Sequence, residues 1–422
     1  MSLPFPWFVV GDIHLYAKSH EDVALDLEAL LHREVLRAGS NYGAVVFNGD
    51  TFDLDRAVGP GPQGLKPERV IQCLQECMET FSGLFHTFRQ VAATTPLVFV
   101  AGNHDAQLLV PAVQQFLVQQ LGNSDRVRVV ERLMQDGCLV EHGHQVDPDA
   151  AFFPNPTEAL QKFRVTALPL ASLISRELLS HIPKYCLAGD NRKVPVKVLW
   201  RVVREYGWSS IPMILRYPVA GMRIWFLSFK AVAQGDAHAR AFVTMGTPMV
   251  VAARLYVSRY FGTVFLLALG GAWALGVIRP WYDLRAWTSW WALFLIVLLA
   301  IPPFQNRVFA NRDIKAAAER ARQAIGRGAT AVVLGHTHTA LAERVDAQPE
   351  GAWEGQADQG NQGNQGNMGN QSPNYVNHGA FFDVQHDPEG SYRTYVVLDA
   401  QGPRLEKYRL DGSLARAMTA SR

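Results

Sequence analysis

Residues 99–105 read FVAGNHD: three apolar or small positions run into Gly102, and Asn103, His104 and Asp105 follow at once. A short strand that ends this way turns sharply at the glycine and points its next side chains into a crevice. The carboxyl ends of strands in an open α/β sheet are where such crevices form. The same layout recurs four times. FVVGDIH (8–14) brings Asp12 and His14, and VVFNGDTFD (45–53) brings Asp50 and Asp53. LVEHGH (139–144) brings His142 and His144, and VVLGHTH (332–338) brings His336 and His338. Five tips of one chemical type, spread over most of the chain, point to a single shared site.

Working outward from these tips, 7–14, 44–50, 96–102, 138–142 and 330–335 read as strands. Between the first three lie HEDVALDLEALLHREVLRAG (20–39) and PERVIQCLQECMETFSGLFHTFRQVA (67–92), whose apolar residues recur at helical spacing. This βαβα alternation predicts a layered α/β fold with a largely parallel sheet. After His144 the alternation stops, and 153–258 is helix-rich, aromatic and basic. From His181 to Lys230 nine Lys or Arg stand against Asp190 and Glu205. The stretch IPMILRYPVAGMRIWFLSFKAVA (211–233) is too charged to span a bilayer, but suits an interfacial helix, the wall of a lipid pocket, or a plain cap over the sheet. Residues 350–374 are a Gly/Asn/Gln-rich run that cannot bury enough apolar surface to order itself.

Composition narrows the classes. At 422 residues the chain holds one large domain with an insertion, or two domains. A formal charge of +2 predicts neither a nucleic-acid binder nor an acidic tail. Cys73, Cys77, Cys138 and Cys186 make no disulfide framework and no C-x-x-C pair, so they are expected to be reduced. The N-terminal apolar run lacks a basic lead and ends in Asp12, which reads as a first strand and not as a signal peptide.

Two segments read as membrane spans. Tyr260 to Ile278 and Ala286 to Asn306 contain no charged residue, and each approaches the roughly 20 apolar residues that cross about 30 Å of hydrocarbon. Trp281, Tyr282, Trp287, Trp290 and Trp291 crowd the turn, as at a membrane interface. A short RPWYDLR turn makes the pair a hairpin with both flanks on one side. Arg254, Arg259, Arg307, Arg312 and Lys315 in those flanks favour the cytoplasmic side. The alternative is a buried helical hairpin, and Pro302-Pro303 would break or kink the second helix.

Carboxylates, imidazoles and one amide oxygen, without thiolate, form an N/O donor set suited to Mn²⁺, Fe or catalytic Zn²⁺. Two such ions about 4 Å apart generate a nucleophile from water and clamp phosphoryl oxygens. On these grounds the site is that of a phosphoester or pyrophosphate hydrolase. The ordered blocks D-x-H, G-D, G-N-H-D, a lone His and G-H-x-H resemble the calcineurin-like metallophosphoesterase superfamily. The resemblance covers roughly 5–145 and 325–400. It implies an αββα-type sheet in two parts, 1–152 and 307–422, interrupted by the 153–258 insert and the 259–306 hairpin. It places Asp12, His14 and His338 on a first ion and Asn103, His142 and His336 on a second, with Asp50 bridging. His104 would be the acid that helps the leaving group depart, oriented by Asp105.

Other residues carry two readings. His144 could face the same site, though His142 is the preferred ligand. Asp53 either supports Asp50 or caps the next helix. Asn377 and His378 resemble the Asn-x-Gly strand of the superfamily, with His378 structural. In its G-N-x-D, H-G-x and G-H-T-H blocks and its helical insertion, the chain resembles the UDP-diacylglucosamine diphosphatases. It differs in its His104, its longer insert and its hairpin. The expected substrate is a phosphodiester or pyrophosphate in a lipid-linked or membrane-associated molecule, met at the cytoplasmic membrane face. The alternatives are a membrane-tethered hydrolase of soluble nucleotides or phosphoproteins, and a catalytically inactive scaffold of the same fold.

Overall fold

The computed structural model describes residues 2–19, 21–61, 65–122, 125–147, 150–152, 156–161, 168–177, 179–181, 203–204, 206–233, 312–346, 373–379, 392–409 and 414–416. Within them two sheets lie face to face. The first is built on four parallel strands hydrogen-bonded in sequence order: β1 (Trp7–Val10), β2 (Ala44–Asn48), β3 (Leu97–Val100) and β4 (Val127–Val130). The second contains β5 (Leu133–Gln135), β6 (Cys138–Val140), β7 (Ala331–Leu334), β8 (Ala340–Glu343) and β9 (Tyr375–His378), in the order β5-β6-β7-β9-β8. Three further strands, β10 (Tyr392–Asp399), β11 (Gly402–Arg409) and β12 (Leu414–Arg416), extend the first sheet antiparallel from β1.

Period-two alternation explains why these strands are apolar throughout. Trp7, Val9, Val46, Val98 and Val100 face inward, where they meet Val140, Val333 and Val376 of the second sheet. Phe8, Val45, Phe47, Leu97 and Phe99 point the other way into a helical layer. That layer holds α1 (Glu21–Glu34), α3 (Pro67–Thr80), α4 (Ser82–Thr94) and α5 (Pro111–Gln120); the short α2 (Leu54–Val58) lies just before α3 in the chain. On the outer face of the second sheet, Leu139, Val332 and Leu334 pack against alanines 317, 321 and 324 of a late helix, Arg312–Gly326. Both faces of each sheet are thus covered, giving an αββα sandwich.

The sequence expectations need small corrections here. Each expected strand is present but stops one or two residues before its glycine or polar tip, because the tip leaves the ladder to turn. The expected 67–92 helix is two helices, broken where Phe81 leaves helical geometry (φ −113°, ψ 45°) and turns its ring into the core. Cys73, Cys77 and Cys138 are free and buried. Asp136-Gly137, with φ of 50° and 76°, closes the β5–β6 hairpin as a tight two-residue turn.

The insert contributes α6 (Pro156–Gln161), α7 (Leu170–Glu177) and α8 (Ser210–Ala233). They share a small core of Phe152, Leu160, Leu170, Leu173 and Ile224 that rests on Leu65 and Ala106. The helix Arg312–Gly326 is α9 in chain order. The membrane hairpin expected at 259–306 and nearly all of the 350–374 run lie outside the described residues. Among the described residues no helix is long and apolar enough to cross a membrane.

Candidate metal centre

The tips of β1, β2, β3, β6 and β7 converge at one end of the sandwich. Their backbones are strained there. Among the described residues six non-glycine positions have positive φ, and five are expected ligands: Asp12 (50°), His14 (56°), Asp50 (48°), His336 (66°) and His338 (53°). Left-handed geometry costs an ordinary residue about 1–2 kcal/mol. It persists here because the two loops bond each other: the amide of Asp12 donates to Gly49 O, and those of Ile13 and His14 to Asp50 O. Gly49 and Gly102 cannot carry a side chain. A Cβ on Gly49 would run into the ring of His142, and one on Gly102 into the carboxylate of Asp50.

Asp12 and Asp50 are buried, and each divides its two oxygens between separate tasks. Oδ2 of Asp12 accepts the amide of His336 (3.0 Å), and Oδ1 of Asp50 accepts the amide of His104 (2.7 Å). The other oxygens face imidazoles. Asp12 Oδ1 lies 3.2 Å from His338 Nε2 and 3.9 Å from His142 Nε2. Asp50 Oδ2 lies 3.1 Å from His142 Nε2 and 3.7 Å from His14 Nε2. These neighbours hold both carboxyl groups below the usual range, against burial that pushes the other way. At His142 burial disfavours the charged ring, but Asp50 and Asp12 outweigh it and raise the pKa to about 9. At His14 burial prevails and lowers the pKa to about 4.

Three groups of donor atoms, each with its members within 4.8 Å of one another, could hold an ion: Asp12–His14–His338, Asp12–Asp50–His142, and His14–Asp50–His104. Asp12 Oδ1, Asn103 Oδ1 and His142 Nε2 are buried without a hydrogen-bond partner. Buried polar atoms left open in this way are the mark of a site that another group completes. The Nδ1 of His142 sits 3.2 Å from Asn48 O, so a proton donated there leaves Nε2 able to take an ion. His336 stands outside the three groups, its ring centroid 5.4 Å from that of His142. Its Nε2 meets Asp147 Oδ2 at 2.9 Å, which leaves Nδ1 for an ion.

One expected role changes hands. Asp105 does not orient the His104 ring; its carboxylate accepts the amides of Gly102 (2.7 Å), Phe52 (3.1 Å) and Asp50 (3.3 Å) and ties β3 to the β2 tip. A residue directly after His104 that is committed to three amides cannot turn back onto that ring. Asp53 takes the place instead, with Oδ1 3.3 Å from His104 Nδ1. It also accepts the amide of Arg56, so it caps α2 as well. Burial works against charge on His104, yet Asp50 and Asp53 push its pKa up to about 10. Asp105 goes up to about 7, through burial first and Asp50 second.

The family model for calcineurin-like phosphoesterases matches residues 5–221, a little over half of the 422-residue chain. The chain belongs to the calcineurin-like phosphoesterase family. The phosphoesterase is therefore a hydrolase of phosphoester bonds, with a centre suited to divalent metal ions. No curated protein and no solved structure matches it.

Two neighbours of the phosphoesterase site escaped sequence reasoning. Asp147, in a stretch without a motif, meets His336. Ser175 of α7 places its hydroxyl 3.4 Å from Asp53 Oδ1. His144 is buried beside His142 and Phe152, with ring centroids at 5.5 and 6.2 Å, and neither ring nitrogen has a hydrogen-bond partner. Burial, then His142 and His336, hold it well below the usual histidine range. His378 is buried behind Asp12, with Nδ1 2.8 Å from Gly379 O and 3.7 Å from Asp12 Oδ2. That place suits a structural residue.

Proposed function

We propose that the protein hydrolyses a phosphodiester or pyrophosphate bond in a lipid-linked or membrane-associated substrate, at the cytoplasmic face of a membrane. The seat of Asp50 carries the hydrolytic part. Its Oδ2 stands between His14 on one side and His142 on the other, where one carboxylate oxygen can serve two cations. Asp12, His14 and His338 would hold one ion, and Asn103, His142 and His336 the other. The orphaned oxygens of Asp12 and Asn103 fit that assignment. Two divalent ions, Mn²⁺ by preference with Fe or Zn²⁺ as alternatives, supply Lewis acidity toward the phosphoryl oxygens and acidify water into a nucleophile.

The chain's own contribution to bond breaking is His104. Raised to about 10, it is protonated at neutral pH and can release that proton from Nε2 to a leaving oxygen. The Asp53 carboxylate, 3.3 Å from Nδ1, stabilises the charge on the ring.

The substrate class rests on three features of the sequence: the charge-free runs Tyr260 to Ile278 and Ala286 to Asn306, the basic and apolar insert, and the likeness to UDP-diacylglucosamine diphosphatases in three motif blocks. An anionic amphiphile suits that combination. The test is turnover under one Mn²⁺ condition of a panel of phospholipids, nucleotide–lipid pyrophosphates, soluble nucleotides and phosphopeptides. Faster hydrolysis of the lipid-linked members, lost in Asp50→Asn, supports the reading. Hydrolysis confined to soluble nucleotides or phosphopeptides overturns its lipid part, and no hydrolysis of any member overturns it whole.

A further inference from the structure

Helix α8 presents to solvent what helices of soluble domains usually hide. Its inner side is ordinary: Ala220 and Ile224 are buried and Leu227 half-buried, and Ile224 and Leu227 meet the core of α6 and α7. Outside, Pro212, Val219, Phe226 and Ala233 are all exposed. They stand seven apart, about two helical turns, and so form one row along the helix. Arg216, Arg223 and Lys230, also seven apart and exposed, form a second row beside it. Trp208, 88% exposed, stands just before the helix, and Val219 and Phe226 are 60% and 64% exposed. All 24 residues of α8 include no Asp or Glu.

We infer that this face docks on an anionic lipid surface, with the apolar row entering the headgroup boundary and the basic row meeting phosphates. Charge decides the occupant. A row of bases beside a row of apolar side chains, without an acid on the helix, complements anionic headgroups lying over hydrocarbon. Arg223 shares its charge with Glu177 (3.1 Å), so Arg216 and Lys230 carry most of the attraction. The placement also has a consequence for chemistry. Behind α8 lies α7, whose Ser172 hydroxyl is 3.5 Å from the carbonyl of Asn103 and whose Ser175 reaches Asp53. A single helix thus separates the docked face from the metal centre. The inference deepens the membrane-associated reading above and rests on it.

The test uses the full chain with Cys186→Ser and a bimane attached through Phe226→Cys; Cys73, Cys77 and Cys138 are buried. Vesicles of phosphatidylcholine, with or without phosphatidylglycerol, carry a doxyl-lipid quencher. Most of the emission should be lost with anionic vesicles and little with zwitterionic ones, while a label attached through Gln115→Cys on α5 stays bright in both. Arg216→Gln with Lys230→Gln should raise the anionic lipid needed for half-quenching about thirtyfold. Flotation reports the tether separately. An unquenched label on protein that floats with both vesicle types overturns the inference and leaves the tether standing. Flotation only with anionic vesicles, lost in the Gln variant, supports docking and removes the tether. Equal quenching by both vesicle types overturns the charge argument. A label already shielded without lipid shows the face covered by the chain itself or by a second copy, which also overturns it.

Discussion

The strand tips and helix α8 handle polar and apolar groups in opposite ways. At the tips, carboxylates and imidazoles are buried on backbone bent into left-handed geometry, which costs stability wherever nothing completes the site. On α8, apolar side chains and bases are exposed along one helix. The lesson concerns where each region's free energy comes from. The tips are held by the two sheets and become favourable when cations neutralise them, whereas the outward face of α8 is mostly exposed, with Arg223 reaching back to Glu177.

The sharpest way to break that contrast is at Asp50. Asp50→Asn keeps the shape and the bond to the His104 amide but removes the charge between His14 and His142. Hydrolysis of a generic aryl phosphodiester with Mn²⁺ should fall by about 10³-fold or more, because several kcal/mol of charge stabilisation go with it. Activity retained in that variant would mean that Asp50 does not bridge the centre.

A second test separates two buried carboxylates that look alike in sequence. Asp53→Asn should lower kcat about 10- to 100-fold and move the alkaline limb of the pH–rate profile down, since His104 loses the partner that keeps it charged. Asp105→Asn should instead appear in the thermal melt. Its amide group would face one of the three amides that Asp105 now accepts, a loss of about 1–3 kcal/mol. Equal effects of the two substitutions on the pH profile would return the orienting role to Asp105.

The pH response of the centre follows from His142. Without metal its pKa is raised from 6.5 to about 9, so the ring is charged at neutral pH and its contribution to stability is present below 6.5. That contribution is lost as pH rises through 9. Coordination needs the neutral ring, so binding of Mn²⁺ below pH 9 expels a proton and affinity falls about tenfold per pH unit as the solution is acidified. Titration calorimetry in buffers of different ionisation enthalpy measures the proton directly. Binding at pH 7.5 without proton release would remove His142 from the ligand set.

Much of this was legible in the chain before its structure. A glycine after an apolar run fixes where a strand ends, and the next side chain then has few places to go, so Asp12, Asp50, Asn103 and His142 could be read as neighbours. The partner of His104 could not. Asp105 adjoins it in sequence whereas Asp53 lies on the tip of another strand, and only the three amides that Asp105 accepts decide between them. Asp147 was invisible because no motif surrounds it, and its role depends on the chain just after His144 passing beside His336. Nor does sequence say which apolar residues of 211–233 are covered. Ile224 and Phe226 have the same character and are two positions apart, yet one is buried and the other faces solvent.

The smallest expected effect therefore tests the contrast most directly. Phe226→Ser removes a large apolar side chain, which in a core would cost about 3–5 kcal/mol. At 64% exposure the ring loses little on truncation, and a change within about 0.5 kcal/mol is expected, as for ordinary surface sites. Ile224→Ala on the inner side of the same helix should cost about 2–4 kcal/mol, because the side chain is buried among Phe152, Leu170 and Leu173. Melts of both variants in detergent, without lipid, measure the difference. Equal losses would mean that the outer row supports the fold after all.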